Sequence, residues 1–131
     1  MRSTNFEELG TQRFVSLTTY RKSGAPVSTP VWIGWDGEAL IVTTPAASGK
    51  VKRLRRNPNV ELRPCGRTGR VEADSPVLSG RVTVLTDPSG REQATRILRR
   101  KYGLEYFLVM GVELVTRPRH RDRVILRITP N

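Results

Sequence analysis

The sequence predicts a mainly β fold: six or seven antiparallel strands curled into a small barrel, with two or three short helices inserted. Three observations carry this. Apolar and polar residues alternate in strand-length blocks, the period of a half-buried strand. Several blocks are joined by turns too short for a crossover helix, so those neighbours must run antiparallel. Two other segments repeat at helical spacing and carry helix caps and stops. Closing the strands into a barrel leaves few free edges. At 131 residues the chain suits one domain, 1–131. Such a chain buries about two-thirds of its unfolded surface without disulfides or metals.

The elements follow in order. Ser3 or Thr4 is placed to cap a short helix through Leu9. Residues 13–20 form a strand, with Phe14, Ser16, Thr18 and Tyr20 opposing Val15, Leu17 and Thr19. A turn follows over 22–26, where Gly24 supplies an unusual backbone angle and Pro26 halts the ladder. Residues 27–35 read as a second strand, Asp36-Gly37 as a hairpin turn, and 39–44 as the returning third strand of a meander. Ser48 caps a helix to about Asn57, which Pro58 stops. Strands are expected over 59–64 and 79–85. Asp87-Pro88-Ser89 then opens a second helix, with Pro in its tolerated first turn. On that helix Ala94, Ile97, Leu98 and Tyr102 share the apolar face, Arg91, Glu92, Arg96, Arg99 and Arg100 stay solvated, and Gly103 ends it. Residues 105–110 read as at most another helical turn. Residues 113–116 and 123–129 alternate as closing strands.

Composition narrows the function classes. The longest near-apolar run, Tyr106 to Val112, is too short to cross a bilayer, and Glu7 and Glu8 occupy the place of a signal peptide's apolar stretch. The expectation is a cytoplasmic protein without a membrane anchor. A single cysteine, Cys65, excludes a disulfide framework and a Cys-based zinc site, and it reads as a packed residue. The single histidine, His120, sits among arginines between two strands and reads as solvated. With one His and one Cys, neither a His-assisted nucleophile nor a multi-His metal site has enough members. Any redox chemistry must come from a bound cofactor.

The net charge is +11, from 23 basic and 12 acidic residues, and 19 of the 23 are Arg. A polyanionic partner and a simple preference for Arg as the surface cation both produce that balance. A nucleic-acid-binding barrel is the reading from another class. Against it, aromatics are 6% and the most basic helix has none to stack on bases.

Two segments stand out. From Lys50 to Arg56 the chain carries five cations in seven residues and no acid, just after Thr43-Thr44. A helix N-terminus offers free N–H groups and partial positive charge, so a phosphate can settle between Thr44, Ser48 and Lys50. At helical spacing Val51 and Leu54 face the core while Lys52, Arg55 and Arg56 look outward, and Lys50 and Arg53 share a flank. The plainer alternative is a solvated amphipathic helix with ordinary capping. No GxxxxGK loop is present to support nucleotide hydrolysis. The second segment, 27–35, sets bulky residues against small ones at Ser28, Pro30 and Gly34, with Trp32 at one end. Small side chains leave room for a flat group near the backbone, and Pro30 fits an edge or bulge. An ordinary edge strand would look similar.

In order and spacing, residues 13–19, Gly24-Ala25-Pro26-Val27-Ser28-Thr29-Pro30-Val31-Trp32, Val42-Thr43-Thr44 and residues 48–58 resemble the flavin/deazaflavin oxidoreductases of the pyridoxamine-phosphate-oxidase-like split-barrel superfamily. The nearest resemblance is to the branch that depends on coenzyme F420, common in actinobacteria. It extends to Arg99-Arg100-Lys101-Tyr102-Gly103.

That resemblance implies a split β-barrel homodimer with two cofactor sites at the subunit interface. Phosphate contacts would fall on Thr43, Thr44, Ser48, Lys50 and Arg53 or Arg56. Ser28, Pro30, Val31 and Trp32 would lie against the tricyclic ring, largely through backbone atoms. Arg55, Arg56 or the loop 117–123 would hold the coenzyme's oligoglutamate tail. The implied activity is hydride transfer from reduced F420 to a planar conjugated acceptor, with quinones, enones and tetrapyrroles unranked. The proton comes from solvent or from Tyr102 or Tyr106, both read first as packing residues. Arg binds carboxylates and phosphates in a fork, so the excess charge favours F420 over the alternative cofactor, FMN. An FMN enzyme on the same fold and a non-catalytic deazaflavin carrier remain as alternatives. Metal, membrane and nucleic-acid partners are not expected.

Overall fold

The computed structural model describes residues 5–116 and 122–131. Ser3, Thr4 and His120 lie outside them. Helix α1 (Phe6–Leu9) is capped by Asn5, whose Oδ1 accepts from the Glu8 amide at 2.8 Å. Strands β1 (Phe14–Tyr20), β2 (Pro26–Val31), β3 (Gly34–Trp35) and β4 (Leu40–Pro45) follow, then α2 (Gly49–Arg56). The chain continues through β5 (Asn59–Cys65), β6 (Leu78–Leu85), α3 (Pro88–Tyr102), α4 (Leu104–Thr116) and β7 (Arg123–Pro130).

The seven strands form one antiparallel sheet in the order β2-β1-β5-β6-β7-β4-β3. β2 and β3 are its two edges, yet only Trp32 and Ile33 separate them in the chain. The sheet therefore curls until its edges meet at that corner. The predicted strand 27–35 is in fact two strands: β2 makes the predicted pairing with β1 and β3 the predicted pairing with β4, so both hairpins of the meander form but across a break, and β4 takes β7 as its other neighbour. The cause lies in the corner's backbone groups, which cannot stay unpaired once buried. Ile33 is fully buried; its N–H donates to the Tyr102 hydroxyl at 3.0 Å, and its carbonyl accepts from Lys101 Nζ at 2.6 Å. The end of α3 supplies what a neighbouring strand would otherwise provide.

Alternate residues of each strand point into the curl, where Val15, Leu17, Val42, Leu62, Leu126 and Ile128 form the main core. α2 closes this core with Val51 and Leu54, both buried, as its spacing predicts. The opposite faces of β4 and β7 carry Ile41 and Ile125, which pack under Ala94, Leu98 and Tyr102 of α3. α3 starts and stops where the sequence indicates: Asp87 Oδ2 accepts from the Gly90 amide at 2.8 Å, and Gly103, at φ +59°, ends it.

The predicted closing strand at 113–116 is replaced by the last turn of α4. Four alternating residues cannot separate the two periods. α4 is also apolar on its outer face, which removes the contrast that would mark a helix. The helices thus number four among the described residues, where two or three were expected, and α4 is longer than the single turn expected there.

Gly80 of β6 marks the tightest point beneath α1. A Cβ there would stand 2.8 Å from Ile128 Cγ2, 3.1 Å from the Thr129 carbonyl and 3.2 Å from Phe6 Cζ. Gly80→Ala is expected to cost about 1–3 kcal/mol of overpacking, measured as a lower denaturant midpoint. An unchanged midpoint would mean that Ile128 and the β7 backbone yield freely along with the Phe6 ring.

Candidate functional site

The N-terminus of α2 collects most of the residues singled out for phosphate. Ser48 Oγ caps the helix by accepting from the Val51 amide at 3.3 Å. Thr44 lies 2% exposed just behind it, with the two hydroxyls 3.4 Å apart. The first-turn amides of Gly49 and Lys50 have no acceptor within the helix. Thr43 and Thr44 are adjacent on a strand and so take opposite faces. Thr44 turns inward, whereas Thr43 faces outward and receives the Arg123 Nε at 3.0 Å.

Lys50 is largely withdrawn from water, and its electrostatic neighbours are cations. Burial lowers its pKa from the ordinary lysine value, and Arg53 and Arg123 lower it further. Arg53 is fixed on the β1 side by donating from Nε to Thr19 Oγ1 at 2.7 Å. Burial, Arg21 and Arg56 hold its pKa down as well. α2 thus supplies two cations, Lys50 and Arg53, the latter tied to β1, and β7 adds Arg123 beside them. Arg56 stands exposed at the last turn, near Arg53. Concentrating like charges in a partly dehydrated place is unfavourable in the free protein and becomes favourable when an anion enters.

The β2 residues lead away from this cluster. Thr19, held by Arg53, pairs with Val27, the residue before Ser28. Ser28 and Pro30 are exposed on the outer face of this edge strand, and Ser28 Oγ meets Thr18 Oγ1 at 2.7 Å. Val31 turns into the core at 8% exposure. Trp32 stacks on Tyr102, with ring centroids 4.4 Å apart and planes 12° off parallel, and Tyr106 tilts against it at 6.2 Å. One surface therefore joins Ser28 and Pro30, while the side chains of Val31 and Trp32 serve packing. Tyr102 is not free to act as an acid: its hydroxyl donates to the Arg13 carbonyl at 2.7 Å, and burial is the main reason its pKa is pushed up to about 12. Burial also raises the Cys65 thiol, as suits a packed cysteine.

A feature that sequence reasoning missed lies on the other side of Thr43. A cleft of about 550 Å³ opens between β4 and β7 and the helices α3 and α4. Thr43, Arg91, Thr95, Arg99, Tyr106 and Arg123 line it. The spacing of Arg91, Thr95 and Arg99 puts them on one face of α3. That signal was visible, but without α4 to form the opposite wall it looks like any solvated face. Arg123 belongs to this cleft and also stands among the electrostatic neighbours of Lys50, so the two regions adjoin.

A family model described as pyridoxamine 5'-phosphate oxidase matches residues 3–131. No curated protein matches the chain. Among solved structures, an F420 reductase is 25% identical, with a TM-score of 0.61 over 99% of this chain and 96% of its own. A conserved hypothetical protein from Mycobacterium tuberculosis is 20% identical, with a TM-score of 0.69 over 94% of this chain and 76% of its own. An FAD-binding protein from Mesorhizobium loti is 18% identical, with a TM-score of 0.66 over 94% of this chain and 82% of its own. The last two likenesses concern the fold alone.

Proposed function

The chain belongs to the pyridoxamine 5'-phosphate oxidase family, and from that premise we propose that it is a reductase that binds coenzyme F420 by its phosphate at the N-terminus of α2. The observation that carries this reading is Lys50: a largely dehydrated cation between Arg53 and Arg123, beside unpaired helix amides. The donor set fits the group. Two hydroxyls, two first-turn amides and three cations suit a phosphodiester, and charge-assisted contacts of this kind are the strong ones. The similarity to an F420 reductase along nearly the full length of both chains agrees with this choice.

When bound and reduced, the deazaflavin supplies a hydride from ring carbon 5 to a planar conjugated acceptor. The protein's share is binding, orientation and exclusion of water. Lys50, Arg53 and Ser48 anchor the phosphate end. The outer face of β2 at Ser28 and Pro30, small and flat, accepts the ring through backbone atoms. The aromatic stack of Trp32, Tyr102 and Tyr106 stiffens the end of that strand. With Tyr102 committed to the backbone, the proton is left to solvent or to Tyr106, which lines the cleft. The test is a fluorescence titration of the apoprotein with F420 and with FMN at fixed salt. Tight F420 binding and weak FMN binding are expected. A preference for FMN would keep the family and remove the deazaflavin, and binding of neither would remove the oxidoreductase reading.

The working unit is proposed to be a homodimer joined through α4. Leu104, Leu108, Val112 and Val115 of this helix are 82%, 69%, 61% and 80% exposed, and Phe107 beside them is 58% exposed. Their spacing forms one stripe, with Gly111 open beside it. Glu105 is turned aside to Arg13 and Arg67. On a chain of net charge +11, α4 carries no cation and two acids, Glu105 and Glu113, so the excess positive charge of two copies is kept off this contact. Tyr106 places this contact at the rim of the arginine-lined cleft. Wild type is expected to sediment as a dimer and Leu108→Asp to weaken the dimer at least tenfold, because it places a charge in an apolar contact. A monomeric wild type would refute the contact.

A further inference from the structure

A second concave region lies at the end of β7 away from Arg123. The strand runs on from Arg123 to Pro130, about 23 Å at ordinary strand rise. There α1, β3, the start of β6 and the end of β7 enclose a cavity of about 530 Å³, the size of a small-molecule site. Phe6, Trp35, Val77, Leu78 and Pro130 form its apolar walls. None of the chain's 23 basic residues lines it, and the one charged side chain in the lining is Glu7.

The two aromatic walls are set by close approach to glycines. A Cβ at Gly80 would stand 3.2 Å from Phe6 Cζ, and one at Gly10 would stand 2.8 Å from Trp35 Cβ. Both aromatic residues are thus seated on bare backbone, and Trp35 also packs against the main core, so the walls are fixed before any ligand arrives. The polar groups at the rim are partly engaged. Asn5 Oδ1 is taken by the Glu8 amide at 2.8 Å, and the Ser79 carbonyl accepts from the Asn131 amide at 3.4 Å. Glu7 is exposed, with no ion-pair partner among the described residues. Aromatic walls favour an aromatic ligand through offset or edge contacts, and an indole face attracts a cation. A carboxylate entering here would leave water with no cation to receive it and with the Glu7 charge beside it.

We propose that this cavity is a second ligand site, which takes a small aromatic amine, its ring between Phe6 and Trp35 and its ammonium beside Glu7. Its chemistry is the reverse of the cluster at α2, which gathers cations for an anion. The amine site does not depend on a coenzyme being bound at α2.

The experiment titrates the labelled full chain with three probes of similar shape, 2-phenylethylamine, 2-phenylethanol and 3-phenylpropanoate, and follows amide and indole chemical shifts. Saturable changes are expected at the Trp35 indole N–H and at the Phe6 and Val77 amides. The amine should bind about fivefold more tightly than the alcohol, and the carboxylate most weakly. Glu7→Gln should bring the amine and the alcohol to about the same affinity. Val77→Trp, at a position 39% exposed, should fold, which its melting curve checks, and should fill the cavity. It should weaken the amine about tenfold or more. Excess inorganic phosphate, a probe for α2, should leave the amine affinity unchanged. Absence of saturable amine binding overturns the proposal, as does a carboxylate that binds as tightly as the amine. Binding indifferent to both substitutions, displaced by phosphate or mapped away from Trp35 overturns it as well.

Discussion

Lys50→Ala is expected to weaken F420 binding at least tenfold while leaving the free protein as stable as before or slightly more so. The two effects part because the charged lysine is unfavourable in the free state. Its folded pKa lies below the ordinary lysine value, so the unfolded chain binds the proton more tightly, and charged Lys50 lowers stability at neutral pH. Removing it relieves that cost. In the complex an anion offsets the burial and the repulsion from Arg53 and Arg123, and the pKa rises again. Binding therefore takes up a proton in the interval between the free and bound values. Affinity should be greatest below the free-state pKa, decline as the pH rises through it and level off above the bound-state value. Lys50→Arg, charged throughout, should flatten that profile. Titrations at several pH values beside denaturant melts check both halves. A destabilised Lys50→Ala with unchanged affinity would make the residue a structural one.

Lys101 and Tyr102 should give the largest stability effects. Lys101 Nζ reaches three carbonyls, those of Gly10 at 2.9 Å, Ile33 at 2.6 Å and Gln12. Burial, with Arg13 nearby, draws its pKa down to about 8, but no apolar group could satisfy those oxygens. Lys101→Met leaves the Gly10 and Gln12 carbonyls without this partner and that of Ile33 with only the Tyr102 hydroxyl, 3.2 Å away, and should cost about 3 kcal/mol, a large share of a domain's stability of roughly 5–15 kcal/mol. Tyr102→Phe strands the buried Ile33 amide and the Arg13 carbonyl and should cost about 1–3 kcal/mol. Both losses release the corner at Trp32 and Ile33 where the sheet edges meet. They should therefore be less than additive in the double variant, because the groups share one unit. Denaturant melts of the two singles and the double measure this; full additivity would contradict the shared corner.

What the sequence made legible was local. Ser48, Val51, Leu54, Asn57 and Pro58 specify α2 within a few residues, and Asp87, Pro88 and Gly103 do the same for α3. Asp36-Gly37 forms its turn, with Gly37 at φ +102° and Asp36 Oδ1 accepting from the Glu38 and Ala39 amides at 2.9 and 2.8 Å. The break at Trp32–Ile33 was not legible, because its determinants sit some seventy residues away at Lys101 and Tyr102. α4 was hidden by its own composition: with Leu104, Leu108 and Val112 exposed, apolar residues no longer mark the buried face. The cation cluster was legible in part. Lys50 and Arg53 were visible as helix neighbours, but the approach of Arg123 depends on the pairing of β4 with β7. Arg91 and Arg99 became cleft residues only once α4 supplied the opposite wall.

The claim at the centre of this account is the place of the coenzyme's phosphate, and amide chemical-shift mapping of labelled protein titrated with F420 tests it most directly. The largest saturable changes are predicted at the amides of Gly49 and Lys50 and at Thr44, continuing along Ser28 to Trp32. Changes that leave the first turn of α2 untouched, or that gather on a face remote from it, would contradict the account.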